Sequence, residues 1–206
     1  MSLEVAGPLA MFARPDTGGT PTSYPAPTWS VAKGIFEAIA FLPGGDAWFH
    51  PTSLAICKPR GSPGGHIAFQ RYTTNYGGPG RKTKNVQEGT ALQIFANVLA
   101  NVCYRIEAEV RGPGGQAGRN PRHHLQDLFN RRLRQGRCFR TPCLGWSEFT
   151  CDYWGLFRPD WEVDDQIDLV IPSMLHSVWD HPAQGDYAPR FTQGMRISQG
   201  VLTYAE

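Results

Sequence analysis

The chain of 206 residues is 41% hydrophobic, which is enough to supply the core of one compact domain or of two small ones. It contains no run of about 18 apolar residues, so the sequence predicts no membrane-spanning helix and no membrane partner. The first residues lack the basic-then-apolar order of a secretion signal, and we therefore expect a soluble, cytoplasmic protein.

The formal net charge of +2 conceals an uneven distribution of charge along the chain. Residues 105–140 carry nine basic side chains against three acidic ones, whereas residues 158–206 carry three basic against eight acidic ones. Arginine outnumbers lysine sixteen to four, and a planar guanidinium suits phosphates and bases better than a point charge does. The pattern predicts one face for a polyanion and another for a partner protein, although any single charge run can also be a solvated surface.

Periodicity predicts a strand over residues 3–12, then a loop around Tyr24, then a helix that Thr28 caps and that runs to about Phe41. The apolar stripe of this helix consists of Val31, Ile35, Ala38 and Ile39. Further strands are predicted at residues 47–57 and 67–72 and in two β-rich runs within 90–110.

A glycine-rich basic loop, residues 75–85, contains Arg81, Lys82 and Lys84. Its composition permits two interpretations, a disordered segment or a mobile clamp on nucleic acid.

An arginine-rich helix is predicted between Asn120 and Gly136. Asn120 is a typical N-cap, Pro121 is a typical first helical residue, and a glycine such as Gly136 commonly ends a helix. The stripe that should be buried consists of Leu125, Leu128, Phe129 and Leu133. The solvent side should then present Arg131, Arg132 and Arg134.

His123 and His124 fall in the first turn of that helix. Exposed amides and the positive end of the helix dipole attract a phosphate there, and the same field disfavours imidazolium. We interpret the segment as an RNA-phosphate site, the alternative being one histidine packed on the core and one solvated. The predicted RNA contacts are Arg122, Arg131, Arg132, Arg134, Tyr24, Lys33, Arg81, Lys82 and Lys84.

After Phe139, short strands are predicted at residues 144–152, 166–171 and 196–204, with Pro172, Pro182 and Pro189 in the loops. Aromatic residues are concentrated there, where core or interface packing is a commoner role than base stacking. The order of elements predicts an α+β fold, with a ferredoxin-like (RRM-like) domain over residues 1–140 and a small antiparallel β-rich part over 141–206.

The five cysteines are odd in number and irregular in spacing, which argues against a disulfide framework. Cys138, Cys143 and Cys151 could join a histidine around zinc, but their spacing matches no standard zinc finger. We therefore favour ordinary buried thiols and expect no metal and no cofactor.

Several sequence blocks together resemble a known family. They are GPLAMFARP, SYPAPTWSVAKGIFEAI, NPRHHLQDLFNRRLRQGRCFRTPCLGWSEF, PSMLHSVWDHP and the terminal RISQGVLTYA. The chain resembles the fifth CRISPR-associated (Cas) protein family, in particular its subtype I-C (Dvulg) branch, over essentially its full length. The resemblance implies a RAMP-type ferredoxin-like protein that caps the repeat-derived 5′ handle of CRISPR RNA. It also implies backbone and large subunits of the Cascade surveillance complex as partners, with target DNA met through that complex.

The same resemblance implies a metal-independent endoribonuclease that cuts the precursor RNA. The catalytic histidine of the family falls on His124, its lysine position holds His123, and its tyrosine position at the end of the first helix holds Ala40. Two adjacent histidines could share the acid and base roles, and Tyr24 or Tyr104 could replace the phenol. The alternatives are a non-catalytic cap that binds the handle and nucleates assembly, and an RNA-binding domain unrelated to CRISPR.

Overall fold

The computed structural model describes residues 1–76, 92–112, 120–182 and 185–204. Within these ranges, neither helix is long and apolar enough to cross a membrane. The helices are α1 (Trp29–Ile39) and α2 (Pro121–Gln135). The strands are β1 (Ser2–Ala10), β2 (Trp48–Pro59), β3 (Phe69–Tyr76), β4 (Leu92–Arg111), β5 (Tyr153–Gly155), β6 (Trp161–Val163), β7 (Leu169–Trp179), β8 (Tyr187–Ser198) and β9 (Val201–Thr203).

The described strands form one antiparallel sheet in the order β5-β1-β4-β2-β9-β8-β7, with β3 added to β4 and β6 added to β2. The part β5-β1-β4-β2 has α1 between β1 and β2 in the chain and α2 between β4 and β5. This is the strand order and helix placement of a ferredoxin-like unit. The predicted α+β class is confirmed.

Both helices share one apolar core with the sheet. The rings of Phe36 in α1, Phe49 in β2 and Phe129 in α2 have their centroids 5.2 to 5.4 Å apart. Ile35 and Ile39 are buried as predicted, and the Thr28 side chain accepts a hydrogen bond from the Val31 amide. Val31 and Ala38 of the predicted stripe are half-buried, and Val31 packs against the core. The buried residues that the prediction missed are Trp29, Ala32, Lys33 and Phe36, and α1 ends at Ile39 rather than near Phe41.

Strand β4 joins the two β-rich runs that were predicted separately. Asn101 lies between them with φ 51°, a left-handed conformation that interrupts the regular pleat. Residues 92–99 of β4 pair with β3, whereas residues 104–111 pair with β2. Asn101 therefore marks the point where β4 exchanges one neighbour for the other, while β1 continues along its opposite side.

The C-terminal strands differ from the prediction. Residues 144–152 do not form a strand but a loop with one isolated bridge, from Cys143 to Thr150. Strands β7 and β8 form a long hairpin that includes Pro172 and Pro189, which had been predicted in loops. Because β9 pairs with β2, the chain after residue 140 extends the sheet of the first part. The division into two units, 1–140 and 141–206, stays a prediction.

A buried carboxylate lies on the face of the sheet that points away from the helices, where it pairs with two arginines. Glu4 in β1 is fully buried, and its neighbours Leu3 and Val5 point to the helix-side core. The Glu4 carboxylate accepts from Arg105 Nε at 3.0 Å and from Arg158 Nε at 2.6 Å. The guanidinium of Arg158 also lies 4.0 Å from the ring centre of Tyr153. One carboxylate thus links β1, β4 and the segment between β5 and β6.

Replacing Glu4 with alanine should lower the free energy of unfolding by about 3 kcal/mol, because two half-buried guanidinium groups lose their shared carboxylate. Urea denaturation followed by circular dichroism would measure it. The matched control is Glu107→Ala in β4, whose exposed carboxylate accepts from the Ser53 hydroxyl at 3.1 Å and whose loss should cost less than about 0.5 kcal/mol. Equal losses in the two variants would contradict the role assigned to Glu4.

Candidate nucleic-acid interface

Local capping chemistry fixes both ends of α2 as the sequence predicts. Asn120 Oδ1 accepts from the Arg122 amide at 3.1 Å, and Pro121 is the first helical residue. Gly136 closes the helix in the left-handed conformation with φ 62°. Leu125 and Phe129 are buried, so the rotation of the helix about its axis is fixed by the core. The remaining residues of the first turns therefore face solvent in a defined direction.

The two histidines are both exposed, which excludes the alternative in which one of them packs on the core. His123 lines an open groove together with Asn120, Arg122 and Glu109. His124 does not line that groove. Helical periodicity aligns His124 with Leu128 and Arg131 on the adjacent face of α2. The two imidazoles therefore address neighbouring surfaces of the helix rather than one point.

A second groove runs along the C-terminal half of α2. Its walls include Leu128, Arg131, Gln135 and Arg137. Residues 120–140 contain six arginines and one carboxylate, that of Asp127, a local charge of +5. Arg131, Arg134 and Arg137 are exposed and form no ion pair with any residue that the structure describes. We call Arg131, Arg134 and Arg137 the arginine surface; its charge is not compensated from within the described chain.

Arg132 has a different role from its neighbours on α2. Its Nη1 donates to the Ile39 carbonyl at 2.8 Å, at the end of α1. The amides of Phe139 and Arg140 donate to the Ala38 carbonyl at 2.9 and 2.8 Å. These bonds satisfy carbonyl groups that a helix end leaves unpaired. Arg132 therefore joins the two helices, and the RNA contact predicted for it is limited to its remaining donors.

Two other predicted contacts need correction. Tyr24 is only 3% exposed, and its hydroxyl accepts from the Leu175 amide at 3.1 Å. Lys33 is also buried, and its ammonium is paired with Glu37 one helical turn later. Neither residue presents an exposed polar group to a phosphate, because the Tyr24 hydroxyl is enclosed and the Lys33 ammonium is largely buried beside Glu37. Arg81, Lys82 and Lys84 lie outside the described residues.

The phenols considered as replacements for a catalytic tyrosine are both enclosed. Tyr104 is 1% exposed, and burial raises the pKa of its hydroxyl well above the usual range. Burial likewise raises the pKa of the Tyr24 hydroxyl. Ala40, at the C-cap of α1, is fully buried and presents no side chain to solvent. No phenol therefore stands in for the tyrosine at any of these three positions.

The cysteines considered for zinc do not come together with a histidine. No group of three metal-ligating side chains occurs within the described ranges of the chain. Cys138 is exposed, whereas burial raises the pKa of the Cys151 thiol to about 12.

Comparison with known proteins adds a second, independent line of information. Residues 1–196 match the family described as "CRISPR-associated protein (Cas_Cas5)", in its Cas5d form. The chain belongs to the Cas5 family. The resemblance inferred from the sequence blocks is thereby confirmed.

Two Cas5 relatives carry the name "CRISPR pre-crRNA endoribonuclease Cas5d". The protein from Mannheimia succiniciproducens is 31% identical over 163 residues, which cover 73% of this chain and 70% of the relative. The protein from Thermus thermophilus is 30% identical over 166 residues, which cover 80% of this chain and 66% of the relative. The present chain thus spans about two thirds of the length of each relative.

Two solved structures share the fold over the whole chain. A structure described as a CRISPR-associated protein has a TM-score of 0.66 at 20% identity, and the alignment covers 100% of this chain and 91% of the other. The Streptococcus mutans protein SMU1763c gives a TM-score of 0.66 at 17% identity with the same coverages. At such identities the likeness concerns the fold alone.

Sequence reasoning missed two arginines of this Cas5 chain as candidate contacts. Arg137 lines the second groove, and Arg140 lies with its guanidinium 5.7 Å from the ring centre of Phe139. Arginines continue along the sequence past Gly136, and this continuation could have indicated that Arg137 and Arg140 belong to the same basic surface. It was passed over because Gly136 ends the helix, whereas the loop after it folds back along α1.

Arg132→Ala should lower the free energy of unfolding by about 1–2 kcal/mol, because the Ile39 carbonyl loses a charged hydrogen-bond donor. Thermal or urea unfolding would measure the loss. Arg131→Ala is the matched control, one residue away on the same helix and exposed, and should change stability by less than about 0.5 kcal/mol. The assignment of Arg132 to helix joining would be wrong if both variants unfolded alike.

Proposed function

We propose that this Cas5 chain binds the repeat-derived 5′ handle of CRISPR RNA and cleaves the precursor RNA. The observation that carries the proposal is the exposed His123–His124 pair at the capped start of α2, beside the uncompensated arginine surface. The activity named for the two curated relatives supports it.

Binding would follow from the charge of α2. The positive end of the helix dipole and the first amides attract one phosphate near Arg122. The arginine surface then meets the following phosphates along the helix. His124 and Arg131 are seven positions apart in the helix, which corresponds to about 10 Å along the axis. The contacts are to the sugar-phosphate chain and do not by themselves read sequence.

Cleavage without a metal needs three events at one phosphodiester. The ribose 2′-hydroxyl loses its proton, and its oxygen attacks the neighbouring phosphorus. The bond from phosphorus to the 5′-oxygen breaks, and that oxygen receives a proton. The products are a 2′,3′-cyclic phosphate and a 5′-hydroxyl. We assign one proton transfer to His124 and the partner role to His123 in the adjacent groove, with Arg122 of the same turn stabilising the charge of the phosphorane. The scissile phosphodiester would then lie across the start of α2, between the two neighbouring faces.

The proposed setting is the Cascade surveillance complex in the cytoplasm. The backbone and large subunits would be the protein partners, and target DNA would be met through the assembled complex. We infer these partners from membership of the family and from the proposed binding of the 5′ handle.

A non-catalytic cap is the second candidate function. The buried Ala40 favours it, because the position of the family tyrosine offers no phenol in this chain. A cap would bind the handle and nucleate assembly through the same arginine surface. Binding alone therefore does not separate the two functions, whereas cleavage does.

Purified protein incubated with repeat RNA in a chelator should cut it at one position and leave a cyclic phosphate and a 5′-hydroxyl. His124→Ala should lower the single-turnover rate at least about a hundredfold, the usual contribution of one general acid or base. His66→Ala is the matched control, an exposed histidine outside α2. If the RNA stays intact, cleavage is excluded and the non-catalytic cap is favoured. If His124→Ala cleaves at the wild-type rate, His124 is not part of the mechanism.

RNA affinity should depend steeply on salt through the arginine surface. Replacing Arg131, Arg134 and Arg137 together with alanine should reduce the slope of log Kd against log salt by about 2, given about 0.7 for each single-strand phosphate contact. Arg196→Ala, an exposed arginine of β8, is the control and should leave the slope unchanged. Fluorescence anisotropy at several salt concentrations would measure both. An unchanged slope in the triple variant would place the RNA elsewhere.

A further inference from the structure

A groove with a volume of about 450 Å³ lies between α1 and the β7–β8 hairpin. Small-molecule sites usually have volumes of about 300 to 1,000 Å³. Its walls come from segments far apart in sequence: Trp29, Lys33 and Glu37 from α1, Phe41 just after it, and Trp179 and Arg190 from the hairpin. None of these residues belongs to the arginine surface on α2.

Aromatic side chains give the groove flat apolar walls. Trp179 is 52% exposed and Phe41 is 41% exposed, so both rings are accessible from the groove. Trp29 is buried in the wall, and its indole nitrogen has no acceptor among the residues described. Exposed aromatic faces in a cleft are the usual platform for unpaired bases, because every base has a stacking face.

A half-buried ion pair supplies the polar part of the groove. The side chains of Lys33 and Glu37 are 11% and 23% exposed, and they pair along one turn of α1. Lys33 engages one oxygen of the Glu37 carboxylate, Oε1. The ammonium of Lys33 has three donors, of which Glu37 takes one. The wall therefore presents an acceptor and a donor side by side.

The groove adjoins the proposed path of the RNA. The rings of Phe41 and Phe139 lie with their centroids 5.9 Å apart, and Phe139 is followed by Arg140. The Phe139 amide is hydrogen bonded to the last carbonyls of α1. An RNA strand that follows the arginine surface to the end of α2 thus reaches Phe41, which forms the near wall of the groove. Arg190 adds a positive charge on the far wall.

We propose that this groove takes one unpaired base of the bound RNA and that Glu37 and Lys33 select guanine. The inference rests on the RNA-binding function proposed above and adds a base-reading subsite to it. The Watson–Crick edge of guanine carries two adjacent N–H donors and one carbonyl oxygen. The two donors match the carboxylate of Glu37, and the carbonyl oxygen matches the ammonium of Lys33. Uracil offers a single N–H on that edge, and inosine lacks the amino group of guanine.

The test uses four labelled RNAs of nine nucleotides, each an oligouridylate with guanosine, inosine, adenosine or uridine at its centre. Wild-type protein should bind the guanosine RNA about tenfold more tightly than the inosine or uridine RNA, in line with a bidentate contact. The inosine comparison changes one amino group of the RNA and leaves the protein intact. Equal affinity for all four RNAs would overturn guanine selection by the groove.

Three variants then locate the preference. Glu37→Gln should bring the guanosine-to-inosine ratio close to one, and Trp179→Ala should weaken binding of the guanosine RNA about fivefold or more. Phe191→Ala is the matched control, an aromatic residue of the same hairpin that is 46% exposed and does not line the groove. Thermal unfolding would verify that each variant is folded, and exposed Trp179 keeps the test valid if Glu37→Gln unfolds.

The outcomes separate this subsite from the proposed function. If the protein cuts repeat RNA but shows no guanosine preference, only the subsite fails. If it neither cuts repeat RNA nor binds any of the four oligonucleotides, the RNA function itself fails. A guanosine preference that persists in Trp179→Ala and Glu37→Gln would place base reading outside the groove and overturn the proposal.

Discussion

The hydrogen bonds at the C-terminal end of α1 set the geometry of the whole functional surface. A helix end leaves carbonyl groups without partners, and here the Ala38 and Ile39 carbonyls accept from Arg132 and from the loop after α2. The end of α1, the last turns of α2 and the following loop are therefore held as one unit. Because the arginine surface and the groove beside Phe41 lie on either side of this junction, these hydrogen bonds to the Ala38 and Ile39 carbonyls fix their separation.

Among the residues that the structure describes, some of the charged side chains pair with each other, whereas others remain unpaired at the surface. Two carboxylates of the acidic excess after residue 158 are engaged within the chain. Glu162 is paired with Lys58, which lowers the pKa of its carboxyl, and Asp164 is buried and accepts from the Gly65 amide. These carboxylates hold loops of the same chain. Arg131, Arg134 and Arg137 pair with no carboxylate among the described residues and remain available to an external polyanion.

Local chemistry could be predicted from the sequence, whereas long-range pairing could not. Helix α2 was predicted correctly because Asn120 and Gly136 act within one turn of the helix. The β7–β8 hairpin was missed because Pro172 and Pro189 were taken as strand breakers. Proline is tolerated at a sheet edge, and β7 is an edge strand, while β8 pairs with β9 only through its last two residues. The groove could not be predicted at all, since its walls meet only in the folded chain.

The buried carboxylate of Glu4 also makes the alignment of the first strand unique. Shifting β1 by one residue against β4 would turn Glu4 into the aromatic core beneath the helices and turn Leu3 or Val5 toward the two guanidinium groups. Either change leaves a charged group without its partner in apolar surroundings. Glu4 takes no part in the proposed RNA chemistry, but it disfavours sheets in which β1 is shifted along β4. In such a sheet the two helices would be displaced along the strands.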